Sequence, residues 1–130
     1  MQKTFKLLIV DDDKISLALM REILVKADPR YEILTCCDSA EALRRCTDGP
    51  VFDLVLLDVM MPVMDGYALC ARLKDLPAYL DVPVIFITGL SKINEKLEAF
   101  KAGAVDYLVK PVETEEMKIR VKTHLRIKEY

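Results

Sequence analysis

The segment from Val55 to Gly66 constrains the fold of this chain more than any other stretch. A short run of Val and Leu residues, typical of a buried strand, ends there in Asp58. Pro62 and the Asp65-Gly66 pair then predict a turn, so Asp58 lies where a strand gives way to a loop. In open α/β sheets, ligands bind at the edge formed by the carboxyl ends of the strands, which is where Asp58 is expected. Asp is also a common turn-forming residue, so Asp58 alone leaves both interpretations open.

Length and composition limit the class of protein. A chain of 130 residues is one domain with a single sizeable core, and 52% hydrophobic residues argue against general disorder. The net charge of −2 gives no indication of a nucleic-acid-binding surface. No apolar run approaches the roughly 18 residues of a membrane span, and residues 1–6 do not resemble a signal peptide. We therefore expect a cytoplasmic domain that binds neither nucleic acid nor membrane.

The four cysteines show no spacing typical of a zinc site. Cys36 and Cys37 are neighbours, and on a strand their side chains would point to opposite faces. We expect all four, Cys36, Cys37, Cys46 and Cys70, to be small reduced core residues, as in cytosolic proteins.

Apolar runs alternate with segments of helical period along the whole chain. Short parallel strands joined by helices imply a doubly wound α/β three-layer sandwich with right-handed crossovers. The strands are expected at residues 6–10, 31–36, 52–57, 84–87 and 106–109, and the helices at 14–27, between 38 and 49, and at 65–74, 91–103 and 113–128.

Helical spacing also predicts which helix residues face the core. The first helix should bury Ile15, Leu19 and Ile23. The last helix should be capped by Thr114 and should place His124 at the surface. Further buried positions are expected at Ala40, Leu43 and Cys46 or Thr47 in the second helix, at Leu69, Cys70 and Leu73 in the third, at Ile93, Leu97 and Phe100 in the fourth, and at Met117, Val121 and Leu125 in the last.

Polar residues follow four of the predicted strands: Asp11 and Asp12, Asp58, Thr88, and Lys110. Parallel strands bring these ends to one edge of the sheet. Clustered carboxylates resist ionising together unless a cation joins them, and oxygen ligands alone favour Mg²⁺. A lysine and a hydroxyl beside such a site suit a phosphoryl group. Singly, the Asp pair could cap a helix, Thr88 could form a turn, and Lys110 could be a surface charge.

In the phosphoryl interpretation Asp58 is the nucleophile. An aspartate that attacks phosphorus gives an acyl phosphate, which is a recognised covalent strategy. Mg²⁺ would neutralise the incoming charge, Lys110 would pair with the phosphoryl oxygens, and Thr88 would donate a hydrogen bond to one of them.

Four motifs together resemble the receiver domain of bacterial two-component response regulators, and the match covers essentially the whole chain. They are LIVDDD at residues 8–13, LLDVMMPVMDG at 56–66, ITG at 87–89 and YLVKP at 107–111. The resemblance implies a flavodoxin-like (βα)5 fold with a five-stranded parallel sheet in the order 2-1-3-4-5. It also implies a signalling module that catalyses only its own phosphorylation and dephosphorylation.

The resemblance assigns roles to particular residues. Asp58 would be the phosphoacceptor, which receives its phosphoryl group from a histidine kinase or a histidine phosphotransfer protein. Asp11 and Asp12 would form the acidic pair at the Mg²⁺ site, where Mn²⁺ can substitute, with Asp12 as a direct ligand and the backbone carbonyl of Met60 completing the set. Lys110 would precede Pro111 through a cis peptide bond.

The resemblance also implies a switch. Phosphorylation would draw Thr88 inward, Tyr107 would follow, and the face made by the fourth helix, the fifth strand and the last helix would repack. That face could mediate a homodimer or control a partner or a C-terminal output domain. The last helix has no stop signal in the sequence, which favours an output domain over the alternative of a stand-alone receiver. Kinase specificity is expected on the helix beginning at Lys14 and in the loop after Lys110.

Two departures and two alternatives complete the analysis. Gly89 follows Thr88 where the family often has alanine, and Met60 and Leu90 flank the site with apolar side chains, which predicts a slowly decaying phosphoryl group. One alternative is a degenerate receiver that only scaffolds. The other is an aspartate-dependent phosphatase of the haloacid-dehalogenase type, with Asp11 as nucleophile and Asp13 as acid, which would leave Asp58 unexplained.

Overall fold

The computed structural model describes residues 3–89, 101 and 103–129, with side chains as far as residue 126. Leu90 and most of the expected fourth helix, with Ile93, Leu97 and Phe100, lie outside the described residues. The strands are β1 (Phe5–Val10), β2 (Tyr31–Cys36), β3 (Leu54–Asp58), β4 (Val84–Thr88) and β5 (Asp106–Val109). The helices are α1 (Lys14–Ala27), α2 (Ser39–Asp48), α3 (Gly66–Lys74), a 3-10 turn (Pro77–Tyr79) and the C-terminal helix (Thr114–Glu129).

The five strands form one parallel sheet in the order β2-β1-β3-β4-β5. The order confirms the predicted flavodoxin-like arrangement, in which β3 is the central strand and the strand order reverses at β1. Val10 pairs with Leu57 of β3, and Asp58 pairs with Ile87 of β4. Because the strands are parallel, the residues that follow them all lie along one edge of the sheet.

The sheet is covered on both faces, which is why its three inner strands, β1, β3 and β4, read as mostly apolar runs. On one face Leu8, Val10 and Leu57 pack with residues of α2 and α3. On the other face Leu7 and Ile9 pack with residues of α1 and the C-terminal helix. Within the part of the chain that the structure describes, no helix is both long and apolar enough to cross a bilayer.

The buried stripe of α1 differs from the predicted one. The helix buries Leu17, Met20 and Leu24, whereas Ile15 and Leu19 are 74% and 58% exposed. Both sets recur at helical spacing, so periodicity could not decide which of the two stripes faces the sheet. The prediction for α1 was therefore wrong for Ile15 and Leu19, whereas Ile23 is partly buried and packs against the core.

The other helices correct smaller details. In α2 the buried residues include Ala42 and Cys46, while Ala40 is exposed and Leu43 is half-buried. In α3 Leu69, Cys70 and Leu73 are buried, and in the C-terminal helix Met117, Val121 and Leu125 are buried, as predicted.

Two further sequence predictions were wrong. The C-terminal helix is capped by the Glu113 carboxylate, which accepts hydrogen bonds from the backbone N–H groups of Glu115 and Glu116, and not by Thr114. Cys37 is exposed, because its side chain leaves the face on which Cys36 is buried.

Candidate functional site

Three carboxylates meet at the carboxyl edge of the sheet. Asp11 follows β1, and Asp58 is the last residue of β3; both are buried, whereas Asp12 is exposed. One carboxylate oxygen from each of the three lies within 4.8 Å of the others. The topology therefore brings together all three acidic residues that the sequence singled out, although Asp12 and Asp58 are 46 positions apart in the sequence.

Lys110 is the counter-charge to this cluster. Its Nζ lies 2.9 Å from Asp11 Oδ2 and 3.5 Å from Asp58 Oδ1, so one ammonium group joins two carboxylates. Its backbone N–H donates a hydrogen bond to the Thr88 carbonyl at 2.8 Å, which holds the end of β5 beside the end of β4. The peptide bond from Lys110 to Pro111 is cis, as expected.

Burial and charge together shift the proton equilibria of the site. Burial, and then the neighbouring charge of Asp11, raises the pKa of Asp58 to about 7, although Lys110 acts in the opposite direction. Burial alone would lower the pKa of Lys110, but its hydrogen bond to Asp11 and the charges of Asp11 and Asp58 outweigh burial and leave that pKa raised. The site thus holds more negative charge than one lysine balances.

This donor set fits a hard divalent cation. All three side chains offer carboxylate oxygen, two of them are buried and face each other, and a half-exposed lysine is the neighbouring cation. Mg²⁺ prefers such oxygen ligands and keeps part of its water shell, which the exposed position of Asp12 permits.

Thr88 and Tyr107 lie on adjacent strands near the cluster. Thr88 is the buried last residue of β4, one position beyond the partner of Asp58. Tyr107 pairs with Phe86, two residues before the end of β4, and its half-buried ring packs against the core on the α2 and α3 side. The structure therefore places Thr88 at the carboxyl edge of the sheet and Tyr107 two residue positions further from that edge.

The loop from β3 to α3 packs tightly against the site. The N–H of Val59 donates to the Ile87 carbonyl at 3.0 Å, and the N–H of Gly66 donates to the Val59 carbonyl at 2.9 Å. A Cβ at position 66 would lie 2.9 Å from the Cα of Val59, so only glycine allows this approach. Met60, near the start of the loop, is 65% exposed.

Asp13 is used structurally. Its carboxylate accepts hydrogen bonds from the Ile15 N–H at 3.0 Å and from the Ser16 hydroxyl at 3.1 Å, which caps α1. These bonds, the one from Ser16 first, lower the pKa of Asp13. A carboxylate held ionised in this way is a poor general acid, so nothing at Asp13 favours the phosphatase alternative.

The sequence analysis missed a cluster around Asp106. Arg120 Nη1 lies 2.8 Å from each of the two carboxylate oxygens of Asp106, and His124 Nε2 lies 3.0 Å from Asp106 Oδ2. His124 is only 14% exposed, so the prediction that it is a surface residue was wrong. Burial alone would raise the pKa of Asp106, but the bonds from His124 and Arg120 outweigh burial and lower it. The i, i+4 spacing of Arg120 and His124 was the available signal.

The sequence model of the response regulator receiver domain matches residues 7–122. The chain therefore belongs to the response regulator receiver domain family, and it is a phosphoacceptor signalling module of two-component systems. Receiver domains of this family work with histidine kinases and output domains.

Curated relatives align along nearly all of this chain. The chain is 34% identical over 123 residues to the cyclic di-GMP phosphodiesterase response regulator RpfG of Xanthomonas campestris pv. campestris, covering 95% of this chain and 32% of RpfG. It is 36% identical to the response regulator PleD of Caulobacter vibrioides and 38% identical to the transcriptional regulatory protein PrrA of Mycobacterium tuberculosis, covering 95% and 93% of this chain. It spans 26% of PleD and 50% of PrrA, so it covers half or less of each relative's length.

Solved structures agree with the fold. A CheY-like response regulator receiver domain protein from Methanospirillum hungatei JF-1 superposes with a TM-score of 0.87 at 28% identity, covering 98% of each chain. The BeF3-activated receiver domain of DrrB superposes with a TM-score of 0.83 at 34% identity, covering 95% of this chain and 98% of that one.

Proposed function

We propose that Asp58 is the phosphoacceptor of this receiver domain and takes its phosphoryl group from a phosphohistidine of a sensor kinase or a histidine phosphotransfer protein. The observation that carries the proposal is the buried Asp58 carboxylate at the end of β3, gathered with Asp11 and Asp12 and joined to Asp11 through Lys110. A carboxylate in that setting can attack an incoming phosphorus atom once its proton is gone.

The transfer is a substitution at phosphorus. A bond forms between an Asp58 carboxylate oxygen and phosphorus, the phosphorus–nitrogen bond breaks, and the imidazole nitrogen keeps the electron pair. Lys110, whose Nζ lies 3.5 Å from Asp58 Oδ1, pairs with a phosphoryl oxygen as charge builds there. Thr88, at the adjacent strand end, donates a hydrogen bond to another phosphoryl oxygen.

Asp11, Asp12 and Asp58 would hold Mg²⁺, with the Met60 backbone carbonyl as a further ligand and Mn²⁺ as a substitute. The surplus of carboxylates over cations in the described site supports this proposal. The ion supplies electrostatic neutralisation of the phosphoryl oxygens. The domain would catalyse only its own phosphorylation and dephosphorylation.

The partner kinase would dock beside the site. Leu19 of α1 and the residues Lys110, Pro111 and Val112 line an open groove of about 390 Å³, and the exposed Ile15 extends the apolar face of α1. An apolar groove next to the acceptor suits a helix that carries the donor histidine. This is the surface on which the sequence analysis expected kinase specificity.

The output would follow from a local repacking. A phosphoryl group adds charge and strong acceptors beside Thr88, and the half-buried Tyr107 lies on the neighbouring strand. Displacement of both residues would change the face formed by the fourth helix, β5 and the C-terminal helix. That face would then control an attached output domain, a partner or a homodimer.

Phosphorylation by a small acyl-phosphate donor tests the proposal. We expect intact-mass analysis to show one added phosphoryl group that requires Mg²⁺ and is absent from Asp58→Asn. The exposed Met60 offers no group to orient an attacking water, so we expect the adduct to last much longer than seconds. Folded wild type without an adduct would favour the scaffold alternative, and labelling at Asp11 with donor turnover would favour the phosphatase.

A further inference from the structure

Ser39 is a buried polar residue to which the proposed chemistry gives no role. It begins α2 and is 4% exposed. Its hydroxyl donates a hydrogen bond of 2.6 Å to the backbone carbonyl of Met64, in the loop between β3 and α3, and its Oγ lies 3.9 Å from Met61 Sδ. The helix cap is provided by Asp38, whose carboxylate accepts from the Glu41 N–H at 2.7 Å. The Ser39 hydroxyl is thus committed to the neighbouring loop rather than to its own helix.

The loop that Ser39 contacts is strained. The N–H of Met64 donates to the Pro62 carbonyl at 2.8 Å, and Val63 between them has a φ of 70°. This combination is a classic γ-turn, a rare and strained conformation. A β-branched residue at positive φ adds to the strain, and the Val63 side chain, fully exposed, has no burial to offset it.

Such a conformation persists only where the surroundings determine it. At its start the loop is anchored by Val59 to the Ile87 carbonyl, and at its end by the close approach of Gly66 to β3. Asp65 caps α3 through the Ala68 N–H at 2.8 Å. Ser39 supplies an anchor in between, directly after the strained residue.

We propose that Ser39 is a positioning residue for the cation site. By holding the Met64 carbonyl, it keeps the segment from Asp58 to Met64 in one conformation, so that the Met60 carbonyl is presented to the cation before binding. This inference rests on the proposed function, which makes Met60 a ligand. Partners that orient ligands without touching the metal commonly affect metal affinity strongly.

Direct binding of Mn²⁺, followed by the loss of its free-ion electron paramagnetic resonance signal, tests the inference. We expect Ser39→Ala to weaken binding by about 10-fold, and Ser39→Cys, which keeps the volume but donates weakly, to fall between Ser39→Ala and wild type. The matched control is Thr47→Ala, which removes a 2.8 Å hydroxyl-to-carbonyl bond to Leu43 within the same helix. It should bind Mn²⁺ like wild type.

The outcomes distinguish failure of the Ser39 inference from failure of the proposed cation site. Wild-type affinity in folded Ser39→Ala would overturn the inference and leave the proposed function standing. If Ser39→Ala does not fold, wild-type Mn²⁺ affinity in Ser39→Cys would overturn the inference instead. Binding that is absent from wild type, or that survives Asp12→Asn unchanged, would contradict the proposed cation site, and the inference would fall with it.

Discussion

The buried Asp58 carboxylate lowers the stability of the fold. A buried carboxylate beside a second one is unfavourable when ionised, and Lys110 offsets this only in part because it is shared with Asp11. Binding of the proposed divalent cation would relieve this repulsion. If Asp58 is the phosphoacceptor, as proposed, stability and function oppose each other at this position, as they often do in active sites.

The first prediction concerns the pH dependence of the metal-free protein. Burial raises the pKa of Asp58 to about 7 from an ordinary 3.8, so between these values the folded state holds a proton that the unfolded state has lost. The free energy of unfolding should therefore fall as the pH rises from about 4 to about 7. Asp58→Asn should remove most of this slope and be more stable at neutral pH by roughly 1–3 kcal/mol.

Urea unfolding in the presence of a chelator, at several pH values, measures this difference. Comparing the two proteins at each pH cancels the titration of groups that they share. A wild-type curve parallel to that of Asp58→Asn would show that the Asp58 carboxylate is not perturbed.

The second prediction concerns Val63. Asparagine tolerates positive φ far better than valine, and the exposed side chain loses no packing, so Val63→Asn should raise the free energy of unfolding by about 0.5–1 kcal/mol. Val51 is also exposed but does not have a positive φ, so Val51→Asn is the matched control and should not stabilise. Equal effects of the two substitutions in chemical denaturation would mean that the turn is unstrained.

At the scale of single elements, α1 carries two apolar stripes with different uses. One stripe packs Leu17, Met20 and Leu24 into the core. The other leaves Ile15 and Leu19 exposed to solvent, and Leu19 lines a groove with Pro111. A helix buried on one face needs only the first stripe. The second is the surface that the proposed kinase contact would cover.

The third prediction separates these two stripes. Leu24→Ala should lower the free energy of unfolding by about 2–5 kcal/mol because it opens a cavity in the core. Leu19→Ala, at an exposed position on the same helix, should change it by less than about 0.5 kcal/mol. Thermal or urea unfolding of both variants is the measurement. A large loss of stability for Leu19→Ala would indicate that Leu19 is buried, as the sequence analysis predicted.

The buried face of α1 illustrates where sequence patterns lose information. Strand positions were predictable because a strand buried on both faces has to be apolar throughout, and only its ends were shifted by one or two residues. Helix faces depend on which stripe meets the sheet, and the period is the same for both. The Asp106, Arg120 and His124 cluster was missed because pairing across elements depends on register that the sequence does not state.

At the scale of the whole molecule, the site is a consequence of topology. Parallel strands place their last residues along one edge, so Asp11, Asp58, Thr88 and Lys110 could be predicted to converge from their positions after strands. The supporting residues could not be predicted in this way. Ser39 contacts a loop 25 residues further along the chain, and that contact exists only once α2 and α3 lie side by side.

The central claim is that phosphorus becomes bonded to the Asp58 carboxylate, and chemical trapping tests it most directly. After phosphorylation with a small acyl-phosphate donor and Mg²⁺, borohydride reduction converts an aspartyl phosphate to homoserine, and peptide mass spectrometry locates the changed residue. We predict homoserine at position 58 and nowhere else, with none formed when Mg²⁺ is chelated. Homoserine at position 11, or phosphorylated protein without any homoserine, would contradict the account.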